Sequence, residues 1–246
     1  ISSDETNMDT LQKVLEKVPS MKGLELSSKV TTKKVCFLGD ENASLKVAVL
    51  DLGVKKNILR CLIERDCYLK VFPMNATFEE ISSWNPDGIM LSNGPGDPAA
   101  MPNVVQTAKD IIASDIPTFG ICLGHQIIAL AADLTTEKMH NGHRGVNHPV
   151  KNLLTGNCEV TSQNHGFVVT YDEAEKNNNI EITHIHLNDN TLAGFRLKNK
   201  NVFSVQFHPE AAAGPKDSRY LFDEFVENIR VNMPAEEAHR AKAQKL

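Results

Sequence analysis

Cys122 lies in the run Phe119-Gly120-Ile121-Cys122-Leu123-Gly124-His125-Gln126, between a predicted strand and a predicted helix. A turn of that kind presents a reactive side chain on a sharp, strained corner, and the flanking glycines make room for the bend and for close helix packing. A helix N-terminus beside the sulfur favours thiolate, the nucleophilic form, over thiol. The Leu123 amide, in the first helical turn, lacks an intrahelical acceptor and is free to donate to an oxyanion. Cys36, Cys61, Cys67 and Cys158 sit in ordinary strand or helix positions and read as structural.

A thiol nucleophile needs a base, and His208 in Phe203-Ser204-Val205-Gln206-Phe207-His208-Pro209-Glu210 can supply it. It follows an apolar strand. Glu210 can accept a hydrogen bond from one ring nitrogen and leave the other aimed at sulfur, with Pro209 fixing the backbone between them. A third element is Leu91-Ser92-Asn93-Gly94-Pro95-Gly96-Asp97-Pro98. Its glycines and prolines after a strand make a rigid loop with exposed amides, suited to an oxyanion or a carboxamide oxygen. The loop lacks the G-K-[ST] ending of a phosphate-binding loop.

These residues must be held by a frame. Val47-Ala48-Val49-Leu50 reads as a buried parallel strand, and a helix from about Lys55 to Arg65 follows, with Ile58, Leu59, Leu62 and Ile63 as its inner stripe. Strand 68–72, helix 78–84, strand 88–91, helix 104–113, strand 118–121 and helix 124–132 continue the alternation. Strands separated by helices demand crossovers, hence an α/β fold with a doubly wound, mostly parallel sheet covered on both faces. Ligands bind beyond the carboxyl ends of such strands, where both glycine-rich turns fall. After Asn147 come short strands, near 147–152, 158–162, 167–170, 181–187, 191–197 and 202–206, read as additional antiparallel strands, and then a helix near 218–231. Residues 1–42, with one amphipathic helix over Asp9–Val18 and a short strand at Val35–Leu38, read as a linker or remnant of an upstream domain. Residues 43–232 form the main domain and 233–246 a solvated tail. The first residue is Ile1, so the chain is expected to be a fragment of something longer.

A formal net charge of −5 gives no basic footprint, so no nucleic-acid partner is expected. No apolar run is long enough to cross a bilayer, and the first twenty residues are polar and acidic, unlike a secretion signal. Five scattered cysteines without a C-x-x-C pair fit a reducing, cytoplasmic setting.

G-I-C-L-G-H-Q, S-N-G-P-G-D-P and F-H-P-E, in this order, resemble the triad-type class I glutamine amidotransferases, whose domain is flavodoxin-like. Gly142-His143-Arg144-Gly145-Val146-Asn147-His148-Pro149-Val150, Ser162-Gln163-Asn164-His165-Gly166-Phe167 and Gly214-Pro215-Lys216-Asp217-Ser218 further resemble the small, glutamine-hydrolysing subunit of carbamoyl phosphate synthetase. The likeness covers about residues 43–230; residues 1–42 resemble only the end of that subunit's amino-terminal domain. It implies that Cys122 forms a γ-glutamyl thioester, that His208 serves as acid and base, and that Glu210 orients His208. Gly94 and Leu123 match the oxyanion donors, while Gly96, Gln126, Asn164, Gly166 and Phe167 match positions that hold L-glutamine. It implies no cofactor in this chain, and a large-subunit partner that consumes ATP and bicarbonate with the ammonia to make carbamoyl phosphate for arginine or pyrimidine synthesis.

His140, His143 and His148 lie within nine residues, but no Cys or acidic ligand completes a metal set, so no metal is expected. The stretch Met139–Pro149 is expected to be a loop under the site or against the partner, and His165 is expected to be structural. Alternatives are the glutaminase component of anthranilate, aminodeoxychorismate or guanylate synthesis, a non-catalytic regulatory subunit, and a flavodoxin-like ligand module.

Overall fold

The computed structural model describes residues 3–233; apart from Met233, the tail predicted over 233–246 lies outside the described residues. The strands are β1 (Cys36–Leu38), β2 (Leu45–Asp51), β3 (Cys67–Pro73), β4 (Gly88–Leu91), β5 (Thr118–Ile121), β6 (Thr136–Asn152), β7 (Cys158–Val169), β8 (Ile180–His186), β9 (Leu192–Leu197) and β10 (Val202–Val205). The helices are α1 (Met8–Leu15), α2 (Lys56–Ile63), α3 (Phe78–Ser82), α4 (Pro102–Ser114), α5 (Leu123–Ala131), α6 (Tyr171–Lys176) and α7 (Tyr220–Asn232). All ten of these strands join one sheet in the order β1-β3-β2-β4-β5-β10-β9-β8-β6-β7. The run from β3 to β10 is parallel, while β9, β8, β6 and β7 continue antiparallel and β1 closes the other edge antiparallel to β3. The expected doubly wound sheet with antiparallel strands in the C-terminal half is thus observed.

Strand β2 shows why the sheet needs two layers of helix. Successive side chains point to opposite faces. Val47 and Val49 join one core with Ile58 and Leu62 of α2 and Phe222, Phe225 and Ile229 of α7. Ala48 and Leu50 join the other with Val104 and Ile111 of α4 and Ile127 and Ile128 of α5. A strand buried on both faces therefore reads as a continuous apolar run. On α2 the buried stripe takes Cys61 in place of the expected Ile63, which is partly exposed. Helix α3 starts in a capping box between Thr77 and Glu80.

Residues 23–32 are stitched to the domain. Asp97 donates its amide to Leu24 O (2.8 Å) and accepts the Gly23 amide on its carboxylate (2.8 Å). Ser27 Oγ donates to Pro95 O, and Thr31 Oγ1 donates to Asp51 O. Gly96, at φ +109°, lies so close that a Cβ there would sit 2.8 Å from Leu24 O. The segment before β1 is therefore part of the architecture around the Ser92–Pro98 loop.

Two expectations are corrected. Met139–Pro149 is no loop: it belongs to β6, which pairs with β7 from Thr136↔Val169 to Lys151↔Cys158 through two register shifts. The runs near 158–162 and 167–170 are parts of the single strand β7. Much of β6 is solvent-facing, so it shows no apolar alternation to read, and its irregular register lets glycines and a proline sit within a ladder.

Candidate active site

Cys122 is the N-cap of α5, at φ +54° and ψ −99°, a backbone region that L-residues rarely adopt. Holding it there costs on the order of 1–3 kcal/mol, which the surrounding packing must offset. The elbow is pinned on both sides: Cys122 N donates to Val205 O of β10 (2.9 Å), and Gly124 N donates to Ser92 O (3.0 Å). The side chain is nearly buried.

Strand β10 runs parallel to β5, with Val205 opposite Ile121, so the chain leaving β10 passes beside the elbow and delivers His208. His208 N donates to Ser162 O of β7 (2.9 Å). Its Nδ1 is 2.8 Å from Glu210 Oε1, while the Cys122 thiol is its other side-chain partner. Burial opposes the imidazolium, but the Cys122 sulfur on one side and the Glu210 carboxylate on the other hold the His208 pKa up at about 9. Glu210 is fully buried; burial opposes its charge, yet the bond to His208, the His208 charge and the Lys55 charge hold it below the usual carboxylate range. The arrangement is that of an acid–base imidazole between a sulfur and an ionised carboxylate.

Lys55 escapes the sequence motifs. Its Nζ lies 3.1 Å from Glu210 Oε1, and Asn57 Nδ2 donates to the Glu210 carbonyl. Both stand at the start of α2, just past the carboxyl end of β2. That position beyond a parallel strand is the available signal.

The Ser92–Pro98 loop closes the opposite side. Ser92 Oγ accepts the Leu52 amide, and Asn93 Oδ1 accepts the Lys55 amide. Gly94 packs so tightly that a Cβ there would lie 2.1 Å from Leu52 O and 2.7 Å from Leu123 Cδ2. Among the described residues, neither the Gly94 nor the Leu123 amide finds a main-chain acceptor outside regular elements. Gly94 lines the same cleft as Cys122, and Leu123 follows Cys122 at the start of α5.

That cleft has a volume of about 320 Å³. It gathers Gly94, Gly96, Cys122, Gln126, Asn164, Gly166, Phe167 and His208, while Leu123 packs against Gly94 and Glu210 bonds to His208. Gln126 commits its Nε2 to Phe167 O (2.8 Å) and Gln206 Oε1 (3.0 Å), which leaves Oε1 as the atom it can offer a ligand. Three cationic side chains, Lys55, Lys138 and Arg144, and Met21 of the preceding segment also line it, and no sequence motif singles them out as site residues. His165 lines the cleft too, with Nδ1 on Phe167 O, and burial brings its pKa down to about 3. A neutral ring so bonded is a wall and not a base. His143 and His148 are drawn away from His140 into a cluster with His186 and Asp189 behind that wall.

The family model described as glutamine amidotransferase class-I matches residues 48–228. Among curated proteins, the carbamoyl phosphate synthase small chain of Bacillus cereus is 53% identical over 184 residues, covering 75% of this chain and 50% of that protein. The protein of the same name from Bartonella henselae is 44% identical over 237 residues, covering 91% of this chain and 59% of that protein. The chain spans about half the length of the curated relatives it matches. A solved structure described as a GMP synthase component of Thermoplasma acidophilum superposes with a TM-score of 0.66 over 84% of this chain and all of that one; at 21% identity it speaks to the fold alone. With the elbow, the acid–base pair and the cleft set on this sheet, the chain belongs to the class I glutamine amidotransferases.

Proposed function

We propose that this chain is the glutamine-hydrolysing part of a carbamoyl phosphate synthase small chain, working in the cytoplasm with a large subunit that consumes the ammonia together with bicarbonate and ATP. The observation that carries the chemistry is Cys122 on its strained elbow, facing a His208 that the Cys122 sulfur and the Glu210 carboxylate together hold protonated. The likeness to relatives of that name supports the choice of pathway.

In this reading the Cys122 thiolate attacks the carboxamide carbon of L-glutamine and forms a C–S bond. The carbonyl oxygen becomes an oxyanion facing the Gly94 and Leu123 amides, donors already in place before the charge develops. As the C–N bond breaks, the His208 imidazolium gives its proton to the departing nitrogen, and ammonia leaves. His208, now neutral, takes a proton from water; the hydroxide attacks the γ-glutamyl thioester, the C–S bond breaks, and glutamate and the thiolate–imidazolium pair are restored. Glu210 remains ionised throughout and, with Lys55 beside it, keeps the ring oriented. Gly96, Gln126, Asn164, Gly166 and Phe167 hold the amino-acid end of the substrate. No cofactor is needed in this chain.

The test is ammonia and glutamate release from glutamine by this chain, alone and together with a large-subunit partner. Activity is expected to be weak alone and strongly stimulated by the partner. Cys122→Ser is expected to abolish it, and undiminished release by that variant would overturn the assignment.

A further inference from the structure

We propose that His143, His186 and Asp189 form a binding site for one zinc ion, set behind the wall of the glutamine cleft. The site comes from two elements far apart in sequence: His143 lies on β6, His186 ends β8, and Asp189 sits on the turn into β9. Both imidazoles are buried and stack at 4.0 Å, with 15° between their planes. Their edges meet the Asp189 carboxylate, His143 Nε2 at 2.7 Å from Oδ2 and His186 Nδ1 at 3.1 Å from Oδ1. One ligand atom from each residue can be chosen so that all three lie within 4.8 Å of one another. Zinc bonds of about 2.0–2.2 Å place the donors of one ion roughly 3–3.5 Å apart, so the stacked rings must tilt open toward the Asp189 carboxylate to close the set.

The protons of this cluster cannot satisfy it. His186 Nε2 faces His148 Nδ1 at 3.0 Å, while Nδ1 accepts the Asn188 amide at 3.3 Å and also faces Asp189 Oδ1. If the ring carries its proton on Nδ1, it bonds to Asp189, but the Asn188 N–H then points at another N–H. If the proton is on Nε2, it bonds to His148, and the Nδ1 lone pair then faces a carboxylate lone pair. No neutral tautomer suits all three neighbours. A cation between Nδ1 and the carboxylate removes the opposition of lone pairs there, with Nε2–H donating to His148, the outer contact that usually fixes the tautomer of a metal-bound histidine, and the Asn188 amide giving up its long 3.3 Å contact.

The donor set suits a divalent metal. Two imidazoles and one carboxylate, without sulfur, suit zinc, cobalt or nickel, whereas calcium and magnesium prefer oxygen sets. Three protein ligands leave a position for water. The Asp189 side chain is 38% exposed, which opens the site to solvent. The ion would clasp β6 to the β8–β9 turn. His143 also packs edge-on against His165 at 4.9 Å, and His165 lines the glutamine cleft, so the clasp braces that wall. Metal binding here does not depend on the proposed reaction.

Cys122 and His208 could themselves hold zinc, so the test uses the full 246-residue chain carrying Cys122→Ser. Zn²⁺ is titrated by calorimetry and Co²⁺ by visible absorption. The expected result is one equivalent bound, with cobalt d–d bands and no sulfur-to-cobalt band. Asp189→Asn and His186→Asn, each checked for native circular dichroism, should weaken binding by at least the roughly 10–100-fold that loss of an outer-shell partner costs. If His186→Asn does not fold, the half-exposed Asp189→Asn carries the comparison. Absence of stoichiometric binding, or binding that the foldable variants leave unchanged, would overturn the proposal.

Discussion

Replacing Gly94 by alanine isolates the oxyanion donor from the nucleophile and the base. The added methyl would lie 2.1 Å from the Leu52 carbonyl oxygen, 2.8 Å from the Leu52 carbonyl carbon and 2.7 Å from Leu123 Cδ2. The leucine tip can rotate, but the carbonyl cannot, because it belongs to the turn held by Ser92 Oγ and Asn93 Oδ1. The loop at residue 94 must therefore retreat by about 1.3 Å to bring that contact to the ordinary 3.4 Å. A hydrogen bond to the oxyanion of about 2.9 Å would lengthen past 3.5 Å, where it contributes little. Loss of one such donor costs about 2.7–4 kcal/mol of transition-state stabilisation, on the order of 100- to 1,000-fold in kcat. The donor acts on the developing charge, so kcat should carry most of the loss and KM for glutamine should change little. The assay is steady-state glutaminase activity beside the rate of Cys122 alkylation by iodoacetamide. Alkylation should stay within about threefold of wild type, since the thiolate and His208 are untouched. Wild-type kcat in the alanine variant would refute the placement of Gly94 at the oxyanion. A parallel collapse of alkylation would show that the substitution had disturbed the elbow instead.

Three further outcomes are expected. The His208 pKa is raised from the ordinary 6.5 to about 9, so its contribution to stability is complete below pH 6.5 and is lost as pH rises through 9. A melting temperature that falls between pH 7 and 10 in the wild type, and does so less in His208→Asn, would bear this out, and Glu210→Gln should move the alkaline limb of kcat/KM to lower pH. Lys55→Met should reduce kcat by only about two- to fivefold, the range of a partly exposed ion pair, with a small upward shift of that limb as a like charge beside the imidazolium is removed. Phe119 stacks on Phe203 at 4.4 Å beneath the elbow, so Phe119→Ala should destabilise the fold by about 3–5 kcal/mol, measured by urea unfolding.

The parallel half of the fold is legible in the sequence because a strand buried on both faces leaves an uninterrupted apolar run. β4 and β5 fall at the residues that this pattern predicts, 88–91 and 118–121. The β6–β7 ribbon is legible only in pieces, near 147–152, 158–162 and 167–170, since its outward-facing and irregular registers carry glycine, proline and histidine where alternation is sought. Cys122, His208 and Glu210 can be picked out one by one because each sits beside a glycine turn or a proline at a strand end. Lys55 cannot. Its significance comes from a contact with Glu210 that only the neighbouring of β2, β4, β5 and β10 creates. For the same reason Asp189 stands outside any spacing rule for His143, from which it is 46 residues distant.

The pairing of β5 with β10 works as a ruler. Ile121 lies opposite Val205 and the Cys122 amide reaches the Val205 carbonyl, so from the Ile121–Val205 pair the count is one residue to Cys122 and three to His208. Nucleophile and base are thus spaced by a ladder register, which changes only in whole residues, about 3.3 Å at a time and with a flip of face. Length can be added between β9 and β10, in the turn over 198–201, without touching the scale. One residue added between Val205 and His208 would misread it completely.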